Sequence, residues 1–360
     1  MKIGIDGRYA QGDLVGVGNY IKNLVDGLTF RGFKCVVFYS KKPKLKINNC
    51  KSVILYVSNR YLFEQVFLPI ALVKNRIDIY HGTANSGLPI LTFIPTVLTI
   101  HDLIPLNYRG YFKFSRQPFI SKKLFSLNMV LSTMKANRII TDSNFVKKEV
   151  VRKLRIQTNN VKVIYLGVSI GKIGPLPLKL RRSLYILDHG GIDVRKNLEI
   201  MIEAFSIIIK KIPNCKLVIT GDNLNLKPRL KTLVKELDIE KSVIFTGYVG
   251  EETLGALIKH AGCICYPSLM EGFGMPVLEG FQTGVPVVCS NVTSLPELAQ
   301  DSAILVNPMS SKEIAAGIIS ALKNKKKRTK MIEKGKLVVK KFNWNNTVDQ
   351  TVDVYREVLS

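Results

Sequence analysis

Two carboxylates and a pair of glycines follow an apolar, strand-like run at residues 263–266. Glu271 lies in the loop after this run, and Glu279 lies eight residues later. Gly272 and Gly274 flank one aromatic residue, so the backbone of this loop can approach a ligand closely. Pro276 is typical of the first turn of a helix, where N–H groups bind anions. The pattern predicts that both carboxylates bind hydroxyl groups of an extended ligand; the alternative is a solvated turn with a helix-capping acid.

A second cluster combines glycines with cations at residues 190–197. Gly190 and Gly191 follow a strand-like run, and Arg195, Lys196 and Asn197 precede a helical one. Arginine offers a fork of donors and lysine a point charge, and both suit a diphosphate at a helix start. The alternative is an exposed basic turn.

Further candidates stand at other predicted strand ends. Gly16 and Gly18 precede a predicted helix as in a dinucleotide-binding fingerprint, but the third glycine of that motif is missing. A simple connection from loop to helix is therefore an equal alternative. His101 directly follows a strand and is expected to touch a substrate, although a lone histidine is commonly a satisfied polar residue. His81 also ends a strand, whereas His189 carries no comparable indication.

These residues are positioned by alternating strands and helices. Apolar strands separated by helices predict parallel sheets covered on both faces. In the first half, strands are predicted at 2–6, 35–39, 53–57, 78–81, 96–99, 138–141 and 161–165, with helices at 18–30, 62–74, 114–135 and 144–155. In the second half, strands are predicted at 183–187, 216–220, 243–246, 263–266, 286–290 and 303–306, with helices at 197–211, 225–237, 252–260, 276–283, 312–323, 325–341 and 344–359.

The alternation is interrupted once, and this predicts two domains. We expect an α/β chain with two tandem doubly wound, Rossmann-like domains facing a cleft: 1–170, a linker at 171–182, and 183–341. The last helix, 342–360, is expected to cross back to the N-terminal domain. Ligands of such sheets bind beyond the carboxyl ends of the strands.

Composition is that of a folded protein. The 360 residues are 46% hydrophobic, which suffices for two cores. No apolar run of 18 residues occurs and the first residues read as a strand, so we expect a cytoplasmic protein without a spanning helix or signal peptide. The six cysteines lack metal or disulfide spacing, and Cys263 and Cys265 are expected in the core.

The net charge of +26 is unevenly distributed. Residues 1–180 hold 28 Lys and Arg against 8 Asp and Glu, whereas residues 181–360 hold 25 against 19. A cationic half attracts nucleic acid, an anionic membrane leaflet or a phosphorylated substrate. The alternative is a lysine-rich composition inherited from the source genome.

Several common catalytic motifs are absent. The sequence has no Walker lysine motif, GxSxG elbow, HExxH or DxD-type acidic site. We therefore expect no cofactor and no metal, so that Arg195, Lys196 and helix dipoles neutralise any bound nucleotide diphosphate.

Together the motifs resemble the family 4 retaining glycosyltransferases, whose two-domain fold is named GT-B. EGFGMPVLE at 271–279 carries the two glutamates of that family's signature. The resemblance runs in order along nearly the whole chain, through GVGNY at 16–20, HDLIP at 101–105, TDSNF at 141–145, VRKN at 194–197, FTGYV at 245–249, YPS at 266–268 and GVPVVCSNVTSLPEL at 284–298. Many relatives have an arginine where this chain has Gly191, and Arg195 is expected to replace it.

The resemblance implies site roles. Glu279 is expected to bind the donor's ribose hydroxyls and Glu271 to face the transferred sugar, while Arg195 and Lys196 stabilise the leaving diphosphate. The other implied contacts are Gly272, Phe273, Gly274 and Met275 to sugar and phosphate, Tyr248 and Val249 near the nucleobase, Gly16 and Gly18 beside phosphate or acceptor, and His101 beside the acceptor or donor sugar.

The resemblance also implies a reaction. A hexose, with mannose favoured, would pass with retention and without metal from a nucleotide-diphosphate sugar such as GDP-mannose. HDLIP with RKN is similar to bacterial enzymes that extend a lipid-linked oligosaccharide acceptor for O-antigen or capsule. Alternatives are a GT-B nucleotide-sugar epimerase or phosphorylase, and a nucleic-acid-binding protein; no nucleic-acid module is recognised, so no such partner is expected.

One basic segment, 109–155, predicts a contact with an anionic membrane surface. Cations on headgroups and interleaved apolar groups would hold it peripherally on the inner face of the cytoplasmic membrane. The alternative is an amphipathic helix whose apolar side is domain core. The residues concerned are Arg109, Arg116, Lys122, Lys123, Lys135, Arg138, Lys147, Lys148, Arg152, Lys153 and Arg155, with Phe114, Phe119, Ile120, Leu124, Phe125, Leu127 and Val130 between them.

Overall fold

The computed structural model of the chain describes residues 1–12, 16–108, 111 and 118–360, with the backbone alone for 118–121. Its contacts form two compact units: unit 1 comprises Met1–Gly167 and Trp344–Ser360, and unit 2 comprises Val168–Asn343. Residues 171–182, predicted as a linker, belong to unit 2. There the Gly174 N–H donates to the carbonyl of Glu252 at 2.9 Å.

Unit 1 is built around a parallel sheet with the strand order β3-β2-β1-β4-β5-β6-β7. The inner strands are apolar and buried, because helices cover both faces of the sheet. The strands are β1 Lys2–Asp6, β2 Lys34–Tyr39, β3 Lys51–Ile54, β4 Ile79–Gly82, β5 Thr96–Ile100, β6 Arg138–Thr141 and β7 Val161–Val163.

The helices of unit 1 other than α2, which has no buried residue, bury one apolar side against this sheet or against a neighbouring helix. A π-helical stretch, Phe63–Phe67, joins two short helices into one continuous run, which we call the 60–74 helical segment. The helices are α1 Val17–Phe30, α2 Arg60–Leu62, α3 Leu68–Lys74, α4 Ile104–Asn107, α5 Pro118–Lys135, α6 Asn144–Leu154 and α14 Trp344–Leu359.

Unit 2 repeats the architecture with the order β10-β9-β8-β11-β12-β13, again all parallel. Its strands are β8 Leu184–Asp188, β9 Cys215–Thr220, β10 Val243–Gly247, β11 Cys263–Tyr266, β12 Val287–Ser290 and β13 Ile304–Val306. Its helices are α7 Leu198–Lys211, α8 Lys227–Glu236, α9 Glu251–His260, α10 Met275–Thr283, α11 Leu295–Ala299, α12 Ser311–Lys323 and α13 Lys325–Val338. Cys263 and Cys265 are fully buried in its core, as predicted.

The predicted fold class, two tandem Rossmann-like domains, is confirmed. In each sheet the chain builds outward in one direction, returns to the middle and builds in the other. The reversal lies between β1 and β4 in unit 1 and between β8 and β11 in unit 2. Loops at the carboxyl ends of the two strands diverge at such a point and leave room for a ligand.

Some predicted elements differ from those observed. The strand predicted at 53–57 ends at Ile54, because Tyr56 takes a left-handed φ of 50° that a strand does not allow. The short helices α4 and α11 were not predicted, since four or five residues are too few to show a helical period. The helix predicted at 114–135 is observed from Pro118, and Arg109, Phe114 and Arg116 lie outside the described residues.

The C-terminal helix α14 packs on unit 1, as the predicted fold class required. His81 at the end of β4 is fully buried; its Nδ1 lies 2.6 Å from the Tyr355 hydroxyl on α14, and its Nε2 lies 2.7 Å from the Thr99 hydroxyl on β5. Burial lowers the pKa of His81 to about 3, so the ring is neutral. His81 is therefore a core histidine that ties α14 to the sheet.

Gly27→Ala should destabilise unit 1 by disturbing the packing of α14 on α1. A Cβ atom at Gly27 would lie 2.5 Å from Cγ2 of the fully buried Val348. Alanine favours a helix by about 1 kcal/mol over glycine, but overpacking a core costs about 1–3 kcal/mol. We expect G27A to lower the free energy of unfolding in urea by about 1 kcal/mol.

Two further variants control this measurement. Gly12→Ala, where an added Cβ meets no atom of the described residues within 4 Å, should change stability by less than about 0.5 kcal/mol. In a Val348→Ala background, G27A should no longer destabilise. An equal effect of G27A in both backgrounds would contradict the contact.

Candidate active site

The candidate site of unit 2 lies at the point where its strand order reverses. The loop after β8 carries Arg195 and Lys196, and the loop after the neighbouring strand β11 carries Glu271. Since both strands end at the same edge of the sheet, side chains 75 or 76 residues apart in sequence meet. The structure thus brings together three predicted site residues.

Glu271 is the centre of a buried cluster of charges. Its Oε1 accepts hydrogen bonds from Lys196 Nζ at 2.7 Å and from Arg195 Nη1 at 2.9 Å. The hydroxyls of Tyr266 and Ser268 donate to the same oxygen at 2.7 and 2.6 Å. Glu271 is 7% exposed and Lys196 5% exposed. In this arrangement the Glu271 carboxylate serves as an anchor for the two cations.

The electrostatics of the cluster favour a negatively charged ligand. Burial alone would raise the pKa of Glu271, but the cations Lys196 and Arg195 outweigh it and hold that pKa below its ordinary value. Inside the cluster one carboxylate therefore faces two cations, and the exposed Asp193 lies outside it with Oδ1 3.5 Å from Arg195 Nε. The side chain of Arg195 is 23% exposed, so its charge reaches the surface.

Hydrogen bonds between the loops hold the cluster in place. The Arg195 carbonyl accepts from the Leu269 N–H at 2.8 Å. The side-chain amide of Asn197 donates to the carbonyls of Pro267 and Pro308 at 3.1 and 2.6 Å. The loops after β8 and β11 are therefore hydrogen-bonded to each other before any ligand binds.

Left-handed backbone conformations occur in these loops and in the loop after β12. Gly274, directly before α10, has a φ of 132°, and an added Cβ there would lie 2.5 Å from Leu295 Cδ2. Asn197 and Thr293 have φ values of 61° and 60°. Thr293 is β-branched, for which this conformation is a genuine outlier, and its hydroxyl accepts from the Glu271 N–H at 3.3 Å. Strained backbone of this kind is typical of functional sites.

The loop 272–275 leads directly into α10, whose N-terminus carries a partial positive charge. Gly272 and Phe273 are buried, and the Ser294 hydroxyl donates to the carbonyl of Phe273. Met275 is the first residue of α10. The predicted backbone contacts to sugar and phosphate thus lie on a rigid turn beside Glu271.

Glu279 on α10 has a partner that sequence reasoning missed. His189, the residue after β8, places Nε2 2.6 Å from Glu279 Oε2. A carboxylate only accepts, so His189 donates from Nε2, which fixes the orientation of the carboxylate. Its Nδ1 is buried without a hydrogen-bond partner among the described residues. The rule applied to His101, a histidine directly after a strand, would have found His189.

Asp188 lies beneath the same loop. Its Oδ1 accepts from the Gly190 N–H at 3.1 Å, and Oδ2 has no partner among the residues that the structure describes. Burial raises the pKa of Asp188 to about 6, although Gly190, His189 and Lys196 oppose this rise. Gly190 itself is required, because a Cβ there would lie 2.5 Å from the Tyr266 ring.

Tyr248 and Val249, predicted near a nucleobase, follow β10 at the outer end of the sheet. The Gly221 N–H donates to the Gly247 carbonyl at 2.8 Å, and an added Cβ at Gly221 would lie 2.8 Å from Gly191 Cα. The loops after β8, β9 and β10 therefore adjoin. Tyr248 is 68% exposed and available to a ligand ring.

His101, Gly16 and Gly18 belong to unit 1. His101 follows β5, and its Nδ1 lies 2.6 Å from Oδ2 of Asp142 while its Nε2 lies 2.9 Å from the Thr83 carbonyl. Both neighbours are acceptors, so both ring nitrogens carry protons and the ring is an imidazolium. Burial opposes this charge, but Asp142 outweighs burial and raises the pKa of His101.

The glycine pair lies close to this histidine through Tyr20. Gly16 precedes α1 with a φ of 49°, and Gly18 is buried in the first turn. The Tyr20 ring packs edge-on against His101 with centroids 4.9 Å apart, and its hydroxyl lies 3.1 Å from the Thr99 hydroxyl. The start of α1 and the end of β5 therefore form one polar corner of unit 1.

No three His, Cys, Asp or Glu side chains of the described residues are grouped so as to hold a metal ion. Likewise, within the described part of the chain, no helix is both long and apolar enough to cross a bilayer.

Comparison with known proteins places this architecture in a family. Residues 179–338 match Glycosyl transferases group 1, and residues 15–172 match Glycosyltransferase Family 4. O-antigen chain mannosyltransferase B of Escherichia coli is 30% identical over 288 residues, which cover 77% of this chain and 74% of the relative. The chain belongs to the group 1, family 4 glycosyltransferases.

Two further comparisons agree with this assignment. O-antigen chain mannosyltransferase RfbU of Salmonella typhimurium is 24% identical to this glycosyltransferase over 303 residues, 84% of this chain and 78% of the relative. The solved structure of sucrose-phosphate synthase from Thermosynechococcus elongatus superposes with a TM-score of 0.81 at 19% identity, covering 99% of this chain and 98% of the other. The latter likeness concerns the fold alone.

Asp142→Asn should lower the pKa of His101 in this glycosyltransferase. The isosteric amide can still accept a hydrogen bond, but it removes the negative charge that raises this pKa. Ring-nitrogen NMR across pH 5–9 should show doubly protonated His101 persisting to higher pH in the wild type than in D142N. Signals of the exposed His260, which lies in unit 2, serve as the internal reference.

The same coupling predicts how stability depends on pH. A raised histidine pKa stabilises the fold fully below the unfolded value of about 6.5, and the stabilisation is lost as pH rises through the folded pKa. The stability difference between wild type and D142N should therefore be largest at low pH. A difference that grows with pH would contradict the imidazolium assignment.

Proposed function

We propose that this glycosyltransferase is a retaining, metal-independent mannosyltransferase. Its donor would be GDP-mannose and its acceptor a lipid-linked oligosaccharide of a surface polysaccharide. The observation that carries the proposal is the pairing of Arg195 and Lys196 with buried Glu271 at the carboxyl edge of β8 and β11.

The charge arrangement suits the departure of a nucleotide diphosphate. When the bond between the anomeric carbon and the diphosphate oxygen breaks, negative charge grows on that oxygen. Fixed cations beside it stabilise the transition state more than the ground state. Arg195, Lys196 and the N-terminus of α10 would supply this stabilisation without a metal ion.

The retention that we propose does not use Glu271 as a covalent nucleophile. Both of its oxygens accept hydrogen bonds from Arg195, and one also accepts from Lys196. A carboxylate engaged in this way is a poor nucleophile, so we infer that no covalent glycosyl–enzyme intermediate forms. The acceptor hydroxyl would instead attack from the face that the diphosphate leaves, and the leaving phosphate would take its proton.

The choice of sugar and acceptor rests on the relatives. The Escherichia coli and Salmonella typhimurium proteins are both named O-antigen chain mannosyltransferases. We therefore infer mannose as the transferred sugar and a lipid-linked glycan as the acceptor. Such an acceptor would require work at a membrane surface, and we infer peripheral binding to the inner leaflet.

Glu279→Ala should weaken nucleotide binding, if Glu279 binds the ribose hydroxyls. Loss of a charged hydrogen bond of about 1.5–3 kcal/mol corresponds to a Kd about 10- to 100-fold higher. Calorimetric titration with GDP-mannose, GDP, UDP-glucose and ADP-glucose in EDTA measures this and identifies the donor. Glu236→Ala, at an exposed glutamate of α8, is the matched control.

The contribution of His189 can be separated by a double-mutant cycle. If His189 acts by orienting Glu279, His189→Ala should weaken binding in the wild type and have little further effect in E279A. Unchanged affinity in a folded E279A would remove Glu279 from the ribose site. Preference for UDP-glucose over GDP-mannose would reject the proposed donor.

Lys196→Met should lower kcat by about 100-fold or more and change KM much less, because the ammonium acts in the transition state. Lys235→Met, at an exposed lysine of α8, is the matched control. Lys196→Arg retains a cation beside Glu271 and therefore controls for activity lost through misfolding. Transfer from GDP-mannose in excess EDTA should persist, and NMR of the first product should show the donor's anomeric configuration.

Three outcomes would contradict this mechanism. A pure KM effect of K196M would mean that Lys196 binds substrate and transition state equally. Loss of activity in EDTA with rescue by a divalent cation would reject metal independence. An inverted product would reject the retaining assignment.

A further inference from the structure

The 60–74 helical segment of unit 1 is apolar on its outer side as well as its inner side. Leu62, Val66, Ile70 and Val73 follow one another at helical spacing, and all four are exposed, Val73 by 69%. The inner side is filled by other apolar residues, among them the fully buried Leu68. A helix that is apolar all round is ordinarily buried all round. The bare side therefore indicates a surface that something covers.

This orientation of the segment is fixed by buried charges. Glu64, fully buried, accepts from Arg8 at 2.6 Å, from Arg60 at 2.7 Å and from the Asn128 amide of α5 at 3.0 Å. Arg8 also forms an ion pair with buried Asp6 at 2.7 Å. Turning the segment inward would break this network and leave buried charges without partners, which is strongly destabilising.

A neighbouring loop extends the apolar surface. The Gln65 amide donates to the Leu88 carbonyl at 3.1 Å, and its oxygen accepts from the Ile90 N–H at 2.9 Å, so the loop lies against the segment. In this loop Leu91 is 83% exposed and Phe93 is fully exposed. We define the apolar patch as Leu62, Val66, Ile70, Val73, Leu91 and Phe93.

Helix α5 borders the patch. Asn128 of α5 bonds to Glu64 of the segment, and Lys135 Nζ donates to the carbonyl of Thr92 in the loop at 2.6 Å. Leu124 and Leu127 on α5 are also exposed. The apolar surface therefore spans three elements that are hydrogen-bonded to one another.

Cations predominate around the patch. Lys74, Arg76 and Lys122 are exposed on its elements or beside them. The exposed Asp78, two residues beyond Arg76, accepts a hydrogen bond from the Lys2 N–H at 2.7 Å. The sequence has no Asp or Glu at 65–77, at 79–101 or at 103–141. These segments therefore carry no acid that could offset the exposed cations.

We propose that the apolar patch is the surface by which unit 1 enters an anionic lipid bilayer. Leu91, Phe93 and the outer side of the 60–74 helical segment would reach the acyl boundary, and the bordering cations would lie on the phosphate headgroups. This places the membrane contact on elements outside the basic stretch at 109–155 and gives α5 a bordering role. The proposal assigns a specific surface to the peripheral membrane binding inferred above. It rests on that inference only for the biological purpose of the surface.

The charge around the patch favours an anionic bilayer over a second copy of the chain as the partner that covers it. In a two-fold dimer the same patch would face itself. Lys74 and Lys122 would then face the cations that border the partner's patch, with no acid at 65–77, 79–101 or 103–141 to pair with them. A bilayer of anionic lipid supplies both the apolar phase and the missing negative charge.

The test is flotation of the full chain with vesicles of phosphatidylcholine alone and with added phosphatidylglycerol. Leu91→Ser with Phe93→Ser should lower partitioning onto anionic vesicles at least about tenfold, since burying one such side chain is worth about 1.5–3 kcal/mol. Lys74→Glu with Lys122→Glu should lower it at least about tenfold, and added salt should do the same. Phe30→Ser with Leu224→Ser, both 88% exposed and outside the patch, should leave it unchanged.

Phe93→Trp measures how deeply residue 93 enters the bilayer. Its fluorescence, corrected for the single native Trp344, should shift to the blue on anionic vesicles and be quenched by brominated acyl chains. The vesicles contain no sugar donor or acceptor, so this result stands apart from the proposed mannosyl transfer. Vesicle binding that is absent in the wild type, or unaffected in L91S/F93S, overturns the proposal. So does a lipid-free dimer that L91S/F93S dissociates, because the patch would then be covered by a second copy.

Discussion

The burial of Glu271 is the constraint on which the candidate active site depends. Arg195 and Lys196 are consecutive cations, and holding them beside each other away from water is costly unless a counter-charge lies between them. Glu271 supplies it, and the Tyr266 and Ser268 hydroxyls saturate the carboxylate oxygen that faces Lys196. Because removal of Glu271 would leave two neighbouring cations without this counter-charge, both depend on the one carboxylate. Its cations are thus in place before a ligand arrives, which is the condition for electrostatic catalysis.

This requirement explains the irregular backbone around the cluster. Three loops, after β8, β11 and β12, must all reach the Glu271 carboxylate, and regular turns do not bring three loops to one point. Asn197, Gly274 and Thr293 absorb the misfit in left-handed conformations. Such conformations cost about 1–2 kcal/mol for a residue with a side chain. The hydrogen bonds that Asn197 and Thr293 make across the loops offset part of that cost.

Much of the fold could be predicted from sequence because each strand has its own signal. The strands at 138–141 and 263–266 were placed to the residue, since continuous apolar runs between turn residues are typical of buried parallel strands. The pairing of Lys196 with Glu271 was within reach for a similar reason: both follow strands, and strand ends gather at one edge. The contacts of His189 with Glu279 and of His101 with Asp142 were not predicted. All three contacts depend on the strand order, β8 beside β11 and β5 beside β6, which a single sequence does not state. For Lys196 and Glu271 the family resemblance compensated, because it assigned both residues to one ligand.

Which side of the 60–74 helical segment is exposed could not be predicted from the sequence, for a different physical reason. A period of apolar residues predicts which face of a helix is buried only when the other face is polar. Here both faces are apolar, so no period distinguishes them, and only the buried position of Glu64 fixes the orientation. One polar residue inside an apolar helix therefore carried the information that the hydrophobic pattern lacked.

The two units hold cations in opposite settings, and the two proposals explain this by what each unit would attract. A cation that stabilises a transition state has to be desolvated and fixed, so in unit 2 Lys196 is buried against Glu271, where salt screens it little. A cation that draws a protein to an extended surface has to remain hydrated and exposed, as Lys74 and Lys122 are in unit 1. Its attraction extends about one Debye length, roughly 8 Å at physiological ionic strength. If both proposals hold, the uneven charge of the two halves separates a chemical role in unit 2 from membrane binding in unit 1.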